Sequence, residues 1–98
     1  VSYDVIAAGE DLNYTANMRE FFKDFGVYPP DFDGKTRYQV ADMIDDALKD
    51  IQSRDPQELA TKYNAENGWG SVRSAVEWLK RVRMACRKEL PMKVQVFW

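Results

Sequence analysis

Residues 14–26 read YTANMREFFKDFG. Tyr14, Met18, Phe21, Phe22 and Phe25 fall at i, i+4, i+7, i+8 and i+11, which is one face of an α-helix. Gly26 follows the last of them, where a residue in the left-handed conformation commonly ends a helix. The spacing predicts a helix from Tyr14 onward with its rings turned to the core, because each ring adds a large apolar area to a small domain that needs it.

Working outward, the period changes on both sides. SYDVIAA (residues 2–8) alternates, with Tyr3, Val5 and Ala7 on one face and Asp4 and Ile6 on the other, the pattern of a strand that GEDLN (residues 9–13) then interrupts. MKVQVFW, at the other end, places Met92, Val94, Val96 and Trp98 on one face and Lys93 and Gln95 on the other. Between the ends the chain reads as helical. VYPPDFDGK is a loop, since two prolines forbid a continued helix and Asp33-Gly34 favours a turn. Thr36 and Gln39 form a capping box. Val40, Met43, Ile44, Ala47, Leu48 and Ile51 then make one apolar stripe, and Asp42, Asp45, Asp46 and Asp50 are assigned to the opposite face. Asp45 is expected to pair with Lys49 at i, i+4, while Asp42/Asp46 and Asp46/Asp50 are like-charge neighbours costing a few tenths of a kcal/mol each.

Asp55, Pro56 and Glu58 start a short helix that offers Leu59, Ala60 and Tyr63 to the core. Asn67-Gly68 ends it and Ser71 caps the next, with Trp69 read as an apolar plug at the corner rather than a presented ligand. The last helix is expected over Val72 to Lys88. Its buried stripe is Val72, Ala75, Val76, Leu79, Val82 and Cys86, Trp78 and Ala85 lie on a shoulder, and Pro91 closes it. The architecture that follows is one α+β domain spanning 1–98. It is mostly helical, with about four helices and a two-stranded sheet of the N- and C-terminal strands.

Composition bounds the function. With 45% hydrophobic and 13% aromatic residues the chain can build a core. There is no apolar run of the ~20 residues a membrane span requires, and no charged-then-apolar secretory layout, so no membrane is expected and the cytoplasm is the expected compartment. Cys86 is the single cysteine, read as a small core residue. Histidine is absent, which removes the commonest general base and the commonest zinc or copper ligand. Asp31, Asp33 and Asp42 are spaced like positions one, three and twelve of a calcium loop, but the glycine comes at position four and Lys35 occupies position five. Ser71 and Ser74 have no histidine to activate them. No enzyme, metal or cofactor is expected.

Charge is split along the chain. Residues 1–70 hold seven Lys/Arg against fourteen Asp/Glu, and residues 71–98 hold seven against two. Either an acidic body carries a basic contact surface, or the two halves pair their charges. Arg73, Lys80 and Arg87 are seven apart, with Arg83 beside them, and form a line of ~21 Å down the last helix; Arg81 and Lys88 add charge on the next face. This line is the candidate partner-binding surface.

The segments NYTANM, NAENGWGS and AVEWLKRV, followed by a short V-x-V strand, resemble small uncharacterised proteins encoded by bacteriophages and mobile elements of Gram-positive, mainly actinobacterial, bacteria. The resemblance implies a signature of Asn13, Tyr14, Thr15, Asn17, Asn67, Gly68, Trp69 and Gly70. Asn13 and Asn17 are read as satisfying the backbone of the N-G-W-G turn, or else as edging a binding surface shared with Trp69. The chain departs from the family pattern at Leu90-Pro91, where a His-Pro step is usual. The expectation for function is a non-enzymatic phage accessory protein that binds a host or phage protein with an acidic surface, in the host cytoplasm. The alternative is a nucleic-acid binder that uses the last helix in a helix-turn-helix-like arrangement. A free strand edge offers a route to a homodimer.

Overall fold

The alternation of Tyr3, Val5 and Ala7 with Asp4 and Ile6 forms strand β1 (Ser2–Ala7), the centre of a three-stranded sheet. The computed structural model describes residues 2–7, 10–64, 68, 70–87 and 94–97. β2 (Glu10–Thr15) pairs antiparallel with β1 from Ser2↔Thr15 to Ala7↔Glu10, and β3 (Gln95–Phe97) pairs antiparallel with its other side through Val5↔Val96. The chain ends are therefore neighbours in the sheet, but the sheet has three strands instead of the expected two, in the order β2-β1-β3.

The third strand is the correction at Tyr14. Leu12 and Tyr14 also fit a period of two, and across the hairpin they face Val5 and Tyr3, so that one face of both strands is apolar. Cross-strand burial decides between two periods that both fit Tyr14. The helix then begins later: Thr15 Oγ1 accepts from the Asn17 N–H and opens a single 3-10 turn, Ala16–Met18, ahead of the short helix α1 (Arg19–Asp24). Its end follows the sequence. Gly26, at φ 72°, lets the Val27 N–H reach Phe22 O (2.9 Å) and its own N–H reach Lys23 O (3.2 Å), a Schellman closure.

The remaining helices start where their caps predict. The Thr36/Gln39 box opens α2 (Arg37–Gln52), Asp55 accepts from the Gln57 N–H to open α3 (Pro56–Tyr63), and Ser71 opens α4 (Val72–Cys86) in a reciprocal pair with Ser74. Asn64, just past α3, adds its Oδ1 as acceptor for the Val72 N–H (2.8 Å), so the end of one helix caps the start of the next. The predicted last residue of this helix, Lys88, and the expectations for Trp69, Pro91, Met92, Lys93 and Trp98 lie outside the described residues.

α4 is covered on two sides. It lies against β1 and β2 on one flank and packs along α2 on the other. Arg37 at the start of α2 reaches Cys86 O at the end of α4, so the two helices run antiparallel. This two-sided cover widens the buried arc, and Trp78, expected on a shoulder, is instead fully buried, with its ring 5.5 Å from Tyr14 and 5.7 Å from Phe22. The short helix α3 is tied to α1 through Tyr63, whose ring meets Phe21 and Phe25 and whose hydroxyl donates to Asp24.

β3 is held from outside as well as from within. The Val96 N–H donates to Asp33 Oδ1 (3.0 Å), the Gly34 N–H to Val94 O (3.0 Å), and the Val94 N–H to Lys35 O (2.9 Å). The Asp33-Gly34 turn thus lies along the outer edge of the C-terminal strand, and Asp33 is occupied as an acceptor for backbone.

Truncating Trp78 to Ala is expected to cost ~3–5 kcal/mol of unfolding free energy in a denaturant titration, the range for emptying a buried aromatic site. Asp33→Ala should cost ~1–3 kcal/mol by leaving a half-buried N–H without its charged acceptor. Amide exchange at Val96 should accelerate in that variant, while exchange in α4 should follow only the global loss.

Candidate interaction surface

Two of the signature segments meet in space at the end of β2 and the start of α4. The Tyr14 hydroxyl is 2.6 Å from Ser74 Oγ and donates to Ser71 O at 3.3 Å, while its ring lies against Phe22 and Trp78. Gly70 sits at φ 143°, and a Cβ there would fall 2.9 Å from Met18 Cγ and 3.2 Å from Thr15 Cγ2. Glycine is required twice at this position, by the backbone angle and by the close approach. Tyr14, Thr15 and Gly70 therefore join the strand end to the helix start. Asn13 projects from the other face of the hairpin, where its Nδ2 donates to Asp4 Oδ1 (2.6 Å), and the Asn17 N–H is engaged by Thr15. Gly68 is exposed with φ 76°; Asn67 and Trp69 lie outside the described residues.

The four cations proposed as a contact line share α4 but divide into two sets. Arg83 Nη1 lies 3.1 Å from Asp45 Oδ1, and Arg87 Nη2 lies 3.1 Å from Asp45 Oδ2. Asp45 is only half-exposed and faces α4, where sequence spacing had paired it with Lys49. The antiparallel packing of α2 on α4 brings in two guanidiniums that lie 38 and 42 residues away in sequence, a contact that i, i+4 reasoning has no means to see. Partial burial pushes the Asp45 carboxyl up, but the hydrogen bonds and charges of Arg83 and Arg87 outweigh it and hold the group below its ordinary value.

Arg73 and Lys80 belong to the outward set. Arg73 is exposed and has no acidic partner among the described residues, and Lys80 makes only a loose contact with Glu77, at 3.9 Å. Arg81 is exposed on the same helix, and Met84, one turn beyond Lys80, has 69% of its surface in solvent. At the far end of α4 Arg37 donates to Cys86 O (3.2 Å), a cation at the negative end of the helix dipole. Cys86 itself is buried, and burial pushes its thiol up to about 11 against the opposing pull of Arg37. At neutral pH it is a protonated core residue and a poor nucleophile.

The start of α4 borders a second feature. The last turn of α2, α3 and the first turns of α4 enclose a groove of ≈ 480 Å³ with a floor of Ile51, Pro56, Leu59, Ala60, Val72 and Val76. Arg54, Arg73 and Glu77 stand at its mouth. Sequence reasoning missed it because all of its floor side chains but Pro56, read as a helix-start proline, had been assigned to the core. Ala60 and Val76 are only half-buried and Pro56 is exposed. A short helix set at a corner leaves part of its neighbours' apolar faces uncovered, and only the placement of α3 shows this.

Among the described residues no group of three acidic or thiol side chains is placed to hold a metal ion, and no helix is long and apolar enough to cross a membrane. No protein-family model, no curated protein and no solved structure matches this chain.

The Asp45 pairs should contribute about 0.5–1 kcal/mol at neutral pH, the scale of partly exposed ion pairs. Because the folded pKa is depressed, that contribution is complete above the ordinary carboxyl value of 3.8 and is lost as the pH falls below it through the lowered one. Denaturant titrations of the wild type and Asp45→Asn should therefore differ at neutral pH and converge as the pH falls below 3.8 and through the lowered Asp45 value.

Proposed function

We propose that this chain is a non-enzymatic accessory protein of the phage type, and that it works by binding a host or phage protein through the outward face of α4. The observation that carries this reading is the division of the basic line. Arg83 and Arg87 are engaged by Asp45, whereas Arg73 and Arg81 are exposed, Lys80 is half-exposed, and Met84, one turn beyond Lys80, is exposed as well. Mixed apolar and cationic surface of this kind suits an acidic protein partner, in which a desolvated apolar contact is ringed by charge pairs. The resemblance to phage and mobile-element proteins supports a partner met in the host cytoplasm.

The same division counts against nucleic acid as the ligand. A helix that reads phosphate gains from every cation it can bring to bear, and here two of the four share one carboxylate that offsets half of their charge and holds both guanidiniums against α2. The wild-type protein, immobilised and exposed to actinobacterial host lysate with and without nuclease, should retain one protein in both conditions. Arg73→Glu combined with Lys80→Glu should weaken that retention about tenfold or more while changing stability by less than about 0.5 kcal/mol, as expected for one exposed and one half-exposed surface position. Retention that disappears with nuclease, or falls steeply with salt, would move the protein to the nucleic-acid reading.

A further inference from the structure

The groove at the start of α4 shares Arg73 with the outward face of the helix but has an apolar floor of its own. Its volume, ≈ 480 Å³, lies within the ~300–1,000 Å³ range of sites that enclose a ligand, and its floor is built from aliphatic side chains and a proline. Apolar surface in a concavity is costly to leave wet, so the shape calls for an apolar occupant.

Charge at the mouth narrows the choice. Arg54 is held in place by Asp50 at its Nε (3.1 Å) and by the Phe25 ring 5.2 Å beneath it, and its terminal amino groups have no partner among the described residues. Arg73 has no acidic partner there either, and it stands in the first turn of α4, where the helix dipole adds partial positive charge. Glu77, one turn further along α4, makes that part of the rim acidic; Asp50 offsets the charge of Arg54 but leaves its terminal donors, so the uncompensated positive charge at the groove is that of Arg73. A guanidinium fixed by stacking and by a hydrogen bond at Nε presents its remaining donors with little entropy left to lose, which suits a carboxylate.

We infer that this groove receives a linear segment of a partner protein that presents two apolar side chains beside an aspartate, a glutamate or a chain-terminal carboxylate. The apolar side chains fill the floor formed by Leu59, Ala60 and Val76, and the carboxylate lies between Arg54 and Arg73. The inference rests on the reading of the chain as a protein-binding module and adds where the partner is gripped and by what chemistry.

The test is a selection from a displayed library of random 12-residue peptides against the full chain, followed by fluorescence anisotropy with the enriched peptides. Wild-type protein should enrich sequences in which paired apolar residues neighbour an acid. Ala60→Trp, which fills the groove, and Arg73→Glu, which reverses its mouth, should each weaken binding of those peptides about tenfold or more. Thermal melting of both variants identifies a misfolded Ala60→Trp, and Arg73→Glu, at an exposed position, then carries the test. No enrichment, enrichment of apolar peptides without acids, or binding indifferent to both substitutions would overturn the inference. So would a concentration-dependent dimer abolished by Ala60→Trp, which would assign the groove to a second copy of the chain. A lysate partner that is lost on Arg73→Glu/Lys80→Glu yet retained by a folded Ala60→Trp protein would remove the groove and leave the outward face of α4 standing. Failure of both the lysate capture and the peptide selection would remove both.

Discussion

α4 can be placed in only one way, because Trp78 must be buried between the sheet and α1 while the same helix lies along α2. Sealing an indole from water removes roughly 150–250 Å² of surface, worth ~4–6 kcal/mol at ~25 cal/mol per Å². Against that stands a buried Nε1–H with no partner among the described residues, a cost of ~1–3 kcal/mol. Burial wins, so the indole is kept at a position that a smaller ring would fill without a stranded donor. Tyr14 closes one side of this ring and Phe22 another, so the hairpin and α1 are positioned by the helix they cover. The Tyr14 hydroxyl, bonded to the cap of α4, then ties the strand end to the helix start by polar contact as well.

What was legible in the chain was local. Caps at Thr36, Asp55 and Ser71 act within four residues, and each marks a helix start in the structure. β1 and β3 were legible from alternation, and their adjacency followed from having few strands to pair. β2 was not, because Tyr14 satisfies a helical and a strand period at once. The tie is broken by Val5 and Tyr3 across a hairpin whose register lies outside any one window of sequence. Trp78 was misplaced for a related reason. A helix wheel assumes one buried side, and α4 has two.

The candidate site shows the same limit in electrostatic form. Segregation of negative charge to residues 1–70 and positive charge to 71–98 left open whether the cations serve a partner or the fold. The answer differs from residue to residue. Asp45 captures Arg83 and Arg87 because α2 and α4 run antiparallel, and Arg73 and Lys80, nearer the start of α4, make no ion pair with it. Seven-residue spacing puts Arg73, Lys80 and Arg87 on a common line, yet a line on one helix says nothing about what stands opposite each point along it. The groove beside Arg73 was invisible for the complementary reason: apolar residues report that they prefer burial, not whether a neighbour arrives to bury them.

The turn at Asp33-Gly34 has a bearing on how copies of this protein can associate. By accepting from Val96 and pairing with Val94, it closes one side of the sheet to any further strand, while β2 stands at the other side with no strand paired to it among the described residues. A sheet with two open sides can polymerise; a sheet with one can only terminate. If a second copy joins β2 to β2, both open sides are consumed in that single event and no strand edge remains among the described residues to template another addition. The C-terminal strand thus sets an upper bound on assembly through the sheet, and a carboxylate in a turn far from it in sequence enforces that bound.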